Sequence, residues 1–291
     1  MPCKPVTTSM HGKLCVITGA NTGIGKAAAQ ALASLGAQVV MICRDRAKGE
    51  RAFAEISAAA AASGRGGSAE LAIADLSSQA EVRAAALGIL AAHPRIDVLV
   101  NNAGVALRRR ELTVDGIERT FAVNHLAYFM LANLLLPGLR AAERGRIVNV
   151  ASDAHRRGKL DFDNLQGERS YSNIRMYSES KLENVMFSYA LARRLAGSSV
   201  TVNSLNPGLV ATEIWRQVRI LDILGRWFMR SPEQGALTTV YLAASPDVEG
   251  VTGEYFVECK AAGTIALSHD VALQEKLWAA SVALTGVGAE I

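Results

Sequence analysis

LCVITGANTGIG, residues 14–25, is an apolar, β-branched run that leads at once into three closely spaced glycines. The run predicts a buried strand over 14–18, and the helical period that follows predicts a helix directly after the glycines. Gly19, Gly23 and Gly25 have the spacing G-x-x-x-G-x-G. Glycines permit a tight turn and a close backbone approach, while a helix N-terminus offers free N–H groups to a phosphate. The stretch predicts the phosphate-binding turn of a dinucleotide site, with a merely flexible turn as the alternative.

The same alternation of strand and helix continues along the chain. Apolar segments rich in β-branched residues predict strands over 14–18, 38–43, 70–74, 98–100, 146–150, 200–205 and 254–257. Segments of helical period predict helices over 26–35, 47–62, 78–92, 114–136, 176–195, 232–244 and 271–284. Strand–helix–strand repeats form parallel strands joined by right-handed crossovers. We therefore predict an α/β fold: a single, doubly wound Rossmann domain over residues 1–291, with a parallel sheet of about seven strands.

Composition narrows the class of protein. The 291 residues are 50% hydrophobic and 20% charged, which suits a packed core and excludes wholesale disorder. A formal net charge of +4 is too small to indicate nucleic-acid binding. No apolar run reaches the ~18 residues that span a bilayer, and residues 1–13 lack the apolar core of a secretory signal. The cysteines (Cys3, Cys15, Cys43 and Cys259) form no CxxC pair. We expect a cytoplasmic protein with no integral membrane segment, no nucleic-acid partner and no metal site.

The end of the second predicted strand bears on the choice of cofactor. An acidic residue there would bind a ribose 2′-hydroxyl, whereas a cation would bind a 2′-phosphate. The strand ends at Cys43, followed by Arg44, with Lys48 one helical turn later. Because a guanidinium offers paired donors to a phosphate, the sequence favours NADP(H) over NAD(H). Asp45 is the counter-evidence, although an Asp at this point can instead cap the next helix.

Seven motifs resemble those of the short-chain dehydrogenases/reductases. They fall in order over roughly residues 12–258 and are the glycine turn 18–25, Asp75-Leu76, the run Asn-Asn-Ala-Gly at 101–104, Asn124, Ser152, Tyr-Ser-Glu-Ser-Lys at 177–181 and Asn-Pro-Gly at 206–208. Within that family the chain looks most like the branch of the retinol dehydrogenases and the WW-domain oxidoreductase, through residues 123–129, the Ala154-His155 pair, 163–165 and 275–278. The resemblance implies an oxidoreductase that moves a hydride between a nicotinamide and an aldehyde, ketone or alcohol.

The predicted catalytic residues are Asn124, Ser152, Tyr177 and Lys181. Tyr177 and Lys181 are four residues apart and share one face of a helix. An ammonium one turn away is expected to lower the pKa of the phenol from its ordinary value of ~10. Ser152, just past the fifth strand, can donate a hydrogen bond to a substrate oxygen. The resemblance implies these roles, and adds Asn124 as the anchor of a water relay and Lys181 as a ligand of the nicotinamide ribose. An ordinary helix with a solvated lysine is the alternative.

The remaining site residues come partly from the glycine turn and partly from the resemblance. The predicted cofactor set is Gly19, Asn21, Thr22, Gly23, Ile24, Gly25, Arg44, Lys48, Asp75, Leu76, Asn102, Ala103, Gly104, Tyr177, Lys181, Pro207, Gly208, Val210 and Thr212. Asp75 could equally cap the next helix, and Asn102 could be a turn former. A substrate lid is predicted over about 208–231. Trp215, Trp227, Phe228 and His155 are candidate substrate contacts, with core packing as the alternative, and would favour a hydrophobic carbonyl or alcohol.

Two further alternatives concern activity and assembly. The chain could be an NADPH-binding sensor with vestigial catalysis, although the presence of all four catalytic residues disfavours this. The helices over 114–136 and 176–195 carry apolar residues all round, which is more than one core-facing stripe requires. We therefore predict a homodimer or homotetramer through these helices.

Overall fold

The computed structural model describes residues 3–208 and 230–290, and its centre is one sheet. The strands are β1 (Leu14–Thr18), β2 (Gln38–Cys43), β3 (Ser68–Ile73), β4 (Val98–Asn101), β5 (Gly145–Val150), β6 (Val200–Asn206), β7 (Tyr255–Val257) and β8 (Lys260–Ala261). Their order across the sheet is β3-β2-β1-β4-β5-β6-β7-β8. The first seven are parallel and β8 runs antiparallel to β7. This confirms the predicted doubly wound parallel sheet.

The chain runs outward from β1 to β3 and then crosses back to β4 on the other side of β1. The connections therefore diverge above the carboxyl ends of β1 and β4, which is where doubly wound sheets open a crevice for ligands. The short β8, which the sequence pattern did not indicate, folds back through a two-residue turn at Glu258 and Cys259. A disulfide joins Cys259 to Cys3, a pairing that no sequence spacing suggested.

Helices cover both faces of the sheet. They are α1 (Gly23–Ser34), α2 (Arg46–Ser63), α3 (Gln79–Ala92), α4 (Arg119–Phe121), α5 (Ala127–Leu134), α6 (Leu136–Arg140), α7 (Asn173–Arg194), α8 (Pro232–Ala244) and α9 (Val271–Thr285). Alternate residues of one strand enter different cores: Cys15 and Ile17 pack with α1, α2 and α8, whereas Leu14 and Val16 pack with α3, α5 and α7. Burial on both faces explains why the strands are almost continuously apolar. Within the described ranges, none of the helices combines the length and apolar content needed to cross a bilayer.

Side-chain caps fix where the helices near the site begin. Asp45 accepts a hydrogen bond from the Lys48 N–H at 2.9 Å and begins α2, as predicted. Ser78, not Asp75, caps α3, since its hydroxyl accepts from the Glu81 N–H. Asp75 instead accepts from the Ser77 N–H at 2.9 Å and closes the turn after β3. The cap alternative for Asp75 is therefore wrong.

The helix predicted over 114–136 begins later and is irregular. Gly116 has a φ of +73° and closes a turn, so the helix starts only at α4, where Glu118 accepts from the Phe121 N–H at 2.7 Å. A π-helical turn, Ala122–Leu126, separates α4 from α5. Such a turn holds one extra residue, and here it carries Asn124.

The apolar faces of α5 and α7 are buried within the chain, where α5 packs on α3 and α7 packs on the C-terminal helix α9. Trp278 packs against Phe129 and Phe187, with ring centroids 4.9 and 6.0 Å apart. Glu275 pairs with Arg193 and Arg194 at the end of α7. The all-round apolar character that suggested a homo-oligomer is therefore explained by contacts within this chain.

Candidate active site

An open cleft of about 1440 Å³ lies along the carboxyl ends of the strands. The glycine turn lines one end, and Ser152 and Tyr177 line the other. Every predicted cofactor residue that falls in the described ranges is on its wall: Gly19, Asn21, Thr22, Gly23, Ile24, Gly25, Arg44, Lys48, Asp75, Leu76, Asn102, Ala103, Gly104, Tyr177, Lys181, Pro207 and Gly208. Val210, Thr212, Trp215, Trp227, Phe228 and most of the predicted lid lie outside the described residues.

The glycine turn has a shape that only glycine permits. Gly19 and Gly23 have φ values of +66° and +55°, in the left-handed region. A Cβ at Gly25 would collide with the Asn102 side chain and the Gly19 carbonyl. Thr22, the residue that begins α1, makes no side-chain cap, so the first-turn N–H groups are open to a ligand. These features fit the diphosphate of a dinucleotide.

Thr18 joins this turn to the neighbouring one after β4. Its buried hydroxyl oxygen accepts hydrogen bonds from the backbone N–H of Asn102 at 2.8 Å and of Ala103 at 2.9 Å. The Asn102 side chain in turn donates to the Thr18 carbonyl at 2.9 Å. Thr18 belongs to the 18–25 motif but was not among the predicted cofactor residues. The available signal was a polar residue at the end of an otherwise apolar strand.

Arg44 is one of two cations, with Lys48, that line the cleft beyond β2. Its side chain is exposed, lines the cleft and has no ion-pair partner among the described residues. Cys43 is buried, and burial raises the pKa of its thiol to about 11. The Asp45 carboxylate is held by the start of α2. Charge at this corner is therefore suited to an anionic group.

Ser152, Tyr177 and Lys181 come together at the other end of the cleft. Ser152 lies near the Tyr177 hydroxyl and acts to lower its pKa. Lys181 is 3% exposed, its Nζ donates to the Val150 carbonyl at 3.0 Å, and Nζ lies 5.7 Å from the centroid of the Tyr177 ring. The proximity predicted from the four-residue spacing is therefore present.

The charge states at this end differ from the sequence expectation. Burial raises the pKa of Tyr177 to about 12, although the Ser152 hydrogen bond acts in the opposite direction. Burial lowers the pKa of Lys181 to about 7. The enclosure thus opposes charge on both groups, and this outweighs the predicted lowering of the phenol pKa by the ammonium.

Asn124 lies behind the cleft wall and braces two parts of the site. It is fully buried, and its side chain accepts from the Val105 N–H at 2.7 Å and donates to the Val105 carbonyl at 2.9 Å. Its amide also donates to Ser180 Oγ at 3.0 Å, and Ser180 donates to the Tyr177 carbonyl at 2.8 Å. Asn124 therefore ties the loop after β4 to the tyrosine helix. Ser180 was absent from the predicted set of site residues, although it lies within the 177–181 motif.

His155 is not on the cleft wall, so its prediction as a substrate contact is wrong. It is fully buried behind Ser152, with Nδ1 2.8 Å from the Ser152 carbonyl oxygen. Its neighbours Asp153, Arg156 and Arg157 line the cleft instead and were not among the predicted site residues. Their position just after Ser152 was the usable signal.

Ion pairs lie on the cleft wall. Arg119 pairs with Glu111 at 3.0 Å on the cleft wall, and Arg230 pairs with Glu258. Across residues 3–208 and 230–290, His, Cys, Asp and Glu side chains form no group of three suited to a metal ion.

Known proteins share both the sequence and the fold. A sequence model of the family described as short chain dehydrogenase matches residues 13–220. The chain is 43% identical to retinol dehydrogenase 14 of Mus musculus, over 96% of this chain and 87% of that protein. It is similar in structure to an uncharacterized protein from Mycobacterium paratuberculosis, with a TM-score of 0.78 and 32% identity over 97% of this chain and 96% of that one. It is also similar to the NADP active-site complex of RhlG from Pseudomonas aeruginosa, with a TM-score of 0.67 and 27% identity over 87% and 96% of the two chains.

The family match extends over the glycine turn, the Ser152 strand end and the helix that carries Tyr177 and Lys181. The retinol dehydrogenase relative covers almost the whole chain. The resemblance drawn from the seven motifs is confirmed. The chain belongs to the short-chain dehydrogenase/reductase family of nicotinamide-dependent oxidoreductases, in its retinol dehydrogenase branch.

Proposed function

We propose that this protein is an NADP(H)-dependent carbonyl reductase or alcohol dehydrogenase, acting on the C=O or CH–OH group of a small hydrophobic aldehyde, ketone or alcohol. The observation that carries the proposal is the placement of Ser152, Tyr177 and Lys181 on the wall of the same cleft as the glycine turn. Proton donors and a dinucleotide cradle in one cleft are what hydride transfer to a carbonyl requires.

A bound nicotinamide would supply or accept the hydride. The chain's own residues handle the proton. With a pKa of about 12, the Tyr177 hydroxyl is protonated across the neutral range, so it can give its proton to the oxygen of a carbonyl being reduced. Ser152 donates a hydrogen bond to that same oxygen. Lys181, with a pKa of about 7, is available to return a proton towards the tyrosine and to bind the nicotinamide ribose.

The preference for NADP(H) rests on the corner beyond β2. Arg44 is exposed on the cleft wall with Lys48 one turn later, whereas the Asp45 carboxylate is engaged by the helix start. Cations favour a 2′-phosphate over a 2′-hydroxyl. The RhlG structure, similar in fold, is a complex with NADP.

The proposed substrate class is supported by the residues of the cleft wall beside Tyr177 and by the names of the similar proteins. Val105, Ala106 and Leu107 give this end an apolar, half-buried surface. The curated relatives are named retinol dehydrogenases, and retinol is a hydrophobic alcohol. We further propose that the chain works as one functional domain. The homodimer or homotetramer predicted through the helices over 114–136 and 176–195 stays a prediction.

The test is a steady-state screen of the purified protein with NADPH and with NADH. The carbonyl series runs from acetaldehyde through hexanal and decanal to retinal, with the matching alcohols in the reverse direction. The expected result is NADPH-dependent turnover with a KM that falls as the apolar part of the substrate grows. Tight NADPH binding without turnover on any compound would instead support a cofactor-sensing protein.

A further inference from the structure

Ser152 can donate its hydroxyl proton only if the turn that carries it is held in place. Its backbone is extended, and its Oγ accepts a hydrogen bond from the Ala154 N–H at 3.2 Å, which begins a short 3₁₀ helix, Asp153–Arg157. The Ala154 N–H occupies one lone pair of Oγ, so the single Ser152 O–H remains available to donate to a substrate oxygen. The position of Oγ therefore depends on the backbone of this turn.

His155 holds that backbone from the side away from the cleft. Its Nδ1 lies 2.8 Å from the Ser152 carbonyl oxygen. A carbonyl oxygen can only accept, so Nδ1 carries the proton and donates it, and Nε2 of the neutral ring is bare. Nε2 is buried and has no hydrogen-bond partner among the described residues. A buried acceptor without a partner is unfavourable, and an apolar side chain at this position would avoid that cost. An apolar residue could not supply the hydrogen bond that Nδ1 donates to the Ser152 carbonyl.

Two strands hold the turn from a second direction. The His155 ring packs edge-on against Tyr255 of β7, with centroids 4.9 Å apart. The Tyr255 hydroxyl donates to one Asp153 oxygen at 3.1 Å, and the Asn206 amide donates to the other at 2.7 Å. Asp153 and His155 are thus both anchored. Ser152, which comes directly before them, faces the cleft.

We propose that His155 is a positioning residue for the reaction: by donating from Nδ1 to the Ser152 carbonyl, it sets the place of Ser152 Oγ opposite Tyr177. It does not line the cleft. The inference rests on the proposed function, since Ser152 matters in this way only if a carbonyl oxygen is bound beside it.

Three substitutions separate this role from simple packing. His155→Asn keeps an N–H near the position of Nδ1, His155→Gln moves the N–H to the position of Nε2, and His155→Phe keeps a ring against Tyr255 without any donor. Because small misplacements of a reacting group cost up to about 100-fold in rate, we expect kcat to fall roughly 10- to 100-fold in His155→Phe and His155→Gln. We expect His155→Asn to lie within about fivefold of wild type. The KM and the affinity for NADPH should change little in all three.

The readouts are kcat, KM, NADPH affinity and melting temperature of each full-length variant, together with a crystal structure of His155→Gln. Equal losses of kcat in the Asn and Gln variants, in step with their melting temperatures, would overturn the proposal and leave a packing role. Ser152 Oγ in its wild-type place in the Gln variant would overturn it even if no substrate is ever found. Absence of turnover by the wild type on the whole carbonyl series would count against the proposed function instead, so the two failures are distinguishable. Should His155→Phe fail to fold, the Asn and Gln comparison still decides.

Discussion

The two ends of the cleft are built from different parts of the chain. The cofactor end is made of backbone, and its glycines at 19, 23 and 25 are contiguous with the start of one helix. The predicted catalytic end is made of side chains from the turn after β5 and from α7, braced by the π-helical turn between α4 and α5. We infer from this difference that substitutions at the first end act mainly on cofactor affinity, and substitutions at the second act mainly on turnover.

Tyr177→Phe tests this division most strongly. Loss of the phenol hydroxyl removes the proton donor without removing the ring from the cleft wall, so kcat should fall by about 100- to 10 000-fold. The affinity for NADPH should stay within about twofold, because the cradle at the other end is unchanged. Stopped-flow or steady-state kinetics and a fluorescence titration of NADPH measure the two quantities.

Tyr241→Phe is the matched control for that change. Tyr241 lies on α8, packs near Phe256 and does not line the cleft in the described part of the chain. Its loss of a hydroxyl should leave kcat unchanged. A Tyr177→Phe variant that keeps a tenth of the wild-type kcat would remove Tyr177 from the proton-transfer role.

Gly25→Ala tests the cofactor end. The added methyl group would collide with the Asn102 side chain and the Gly19 carbonyl, so the two turns must move apart. We expect the affinity for NADPH to fall by about 10- to 100-fold, with a loss of about 1–3 kcal/mol in the free energy of unfolding, as overpacking usually produces. At saturating NADPH, kcat should be affected far less than the affinity.

Gly88→Ala, inside α3, is the matched control for the glycine change. A Cβ there meets nothing within 4 Å, so the variant should gain about 0.5–1 kcal/mol of stability from helix propensity. NADPH should bind to it as to wild type. If Gly25→Ala also binds NADPH normally, the glycine turn is not the phosphate cradle.

The cofactor end was predictable because its information is local. Strand, glycine spacing and helix follow one another within residues 14–34, and Asp45 caps α2 three residues before Lys48. Alternation of apolar segments was likewise enough for the parallel sheet, since strands buried on both faces have a distinctive composition. Hence all the predicted cofactor residues in the described ranges line one cleft.

The catalytic end was predictable only in part. The four-residue spacing of Tyr177 and Lys181 predicted that they share one face of a helix. Their pKa values depend on burial by elements distant in sequence, which the spacing cannot predict. The brace from Asn124 to Ser180 spans 56 positions and requires the π-helical turn, for which propensities give no signal. His155 was misplaced because adjacency to Ser152 in sequence does not say which side of the turn a side chain takes.

Arg44→Ala has the smallest expected effect. It tests whether one side chain, rather than the backbone, sets the preference for NADPH over NADH at the cofactor end. A single exposed charge-assisted contact to a 2′-phosphate is worth about 1–2 kcal/mol after solvent screening, so the Kd for NADPH should rise roughly tenfold while that for NADH stays nearly constant. Arg46→Ala is the matched control, because Arg46 is equally exposed but its guanidinium faces Glu50 on α2 and does not line the cleft. The preference for NADPH in wild type should also shrink at high salt, as screening requires. Equal losses for the two cofactors in Arg44→Ala would mean that the guanidinium contacts a part that both share, and the 2′-phosphate would then have to be bound elsewhere in the cleft.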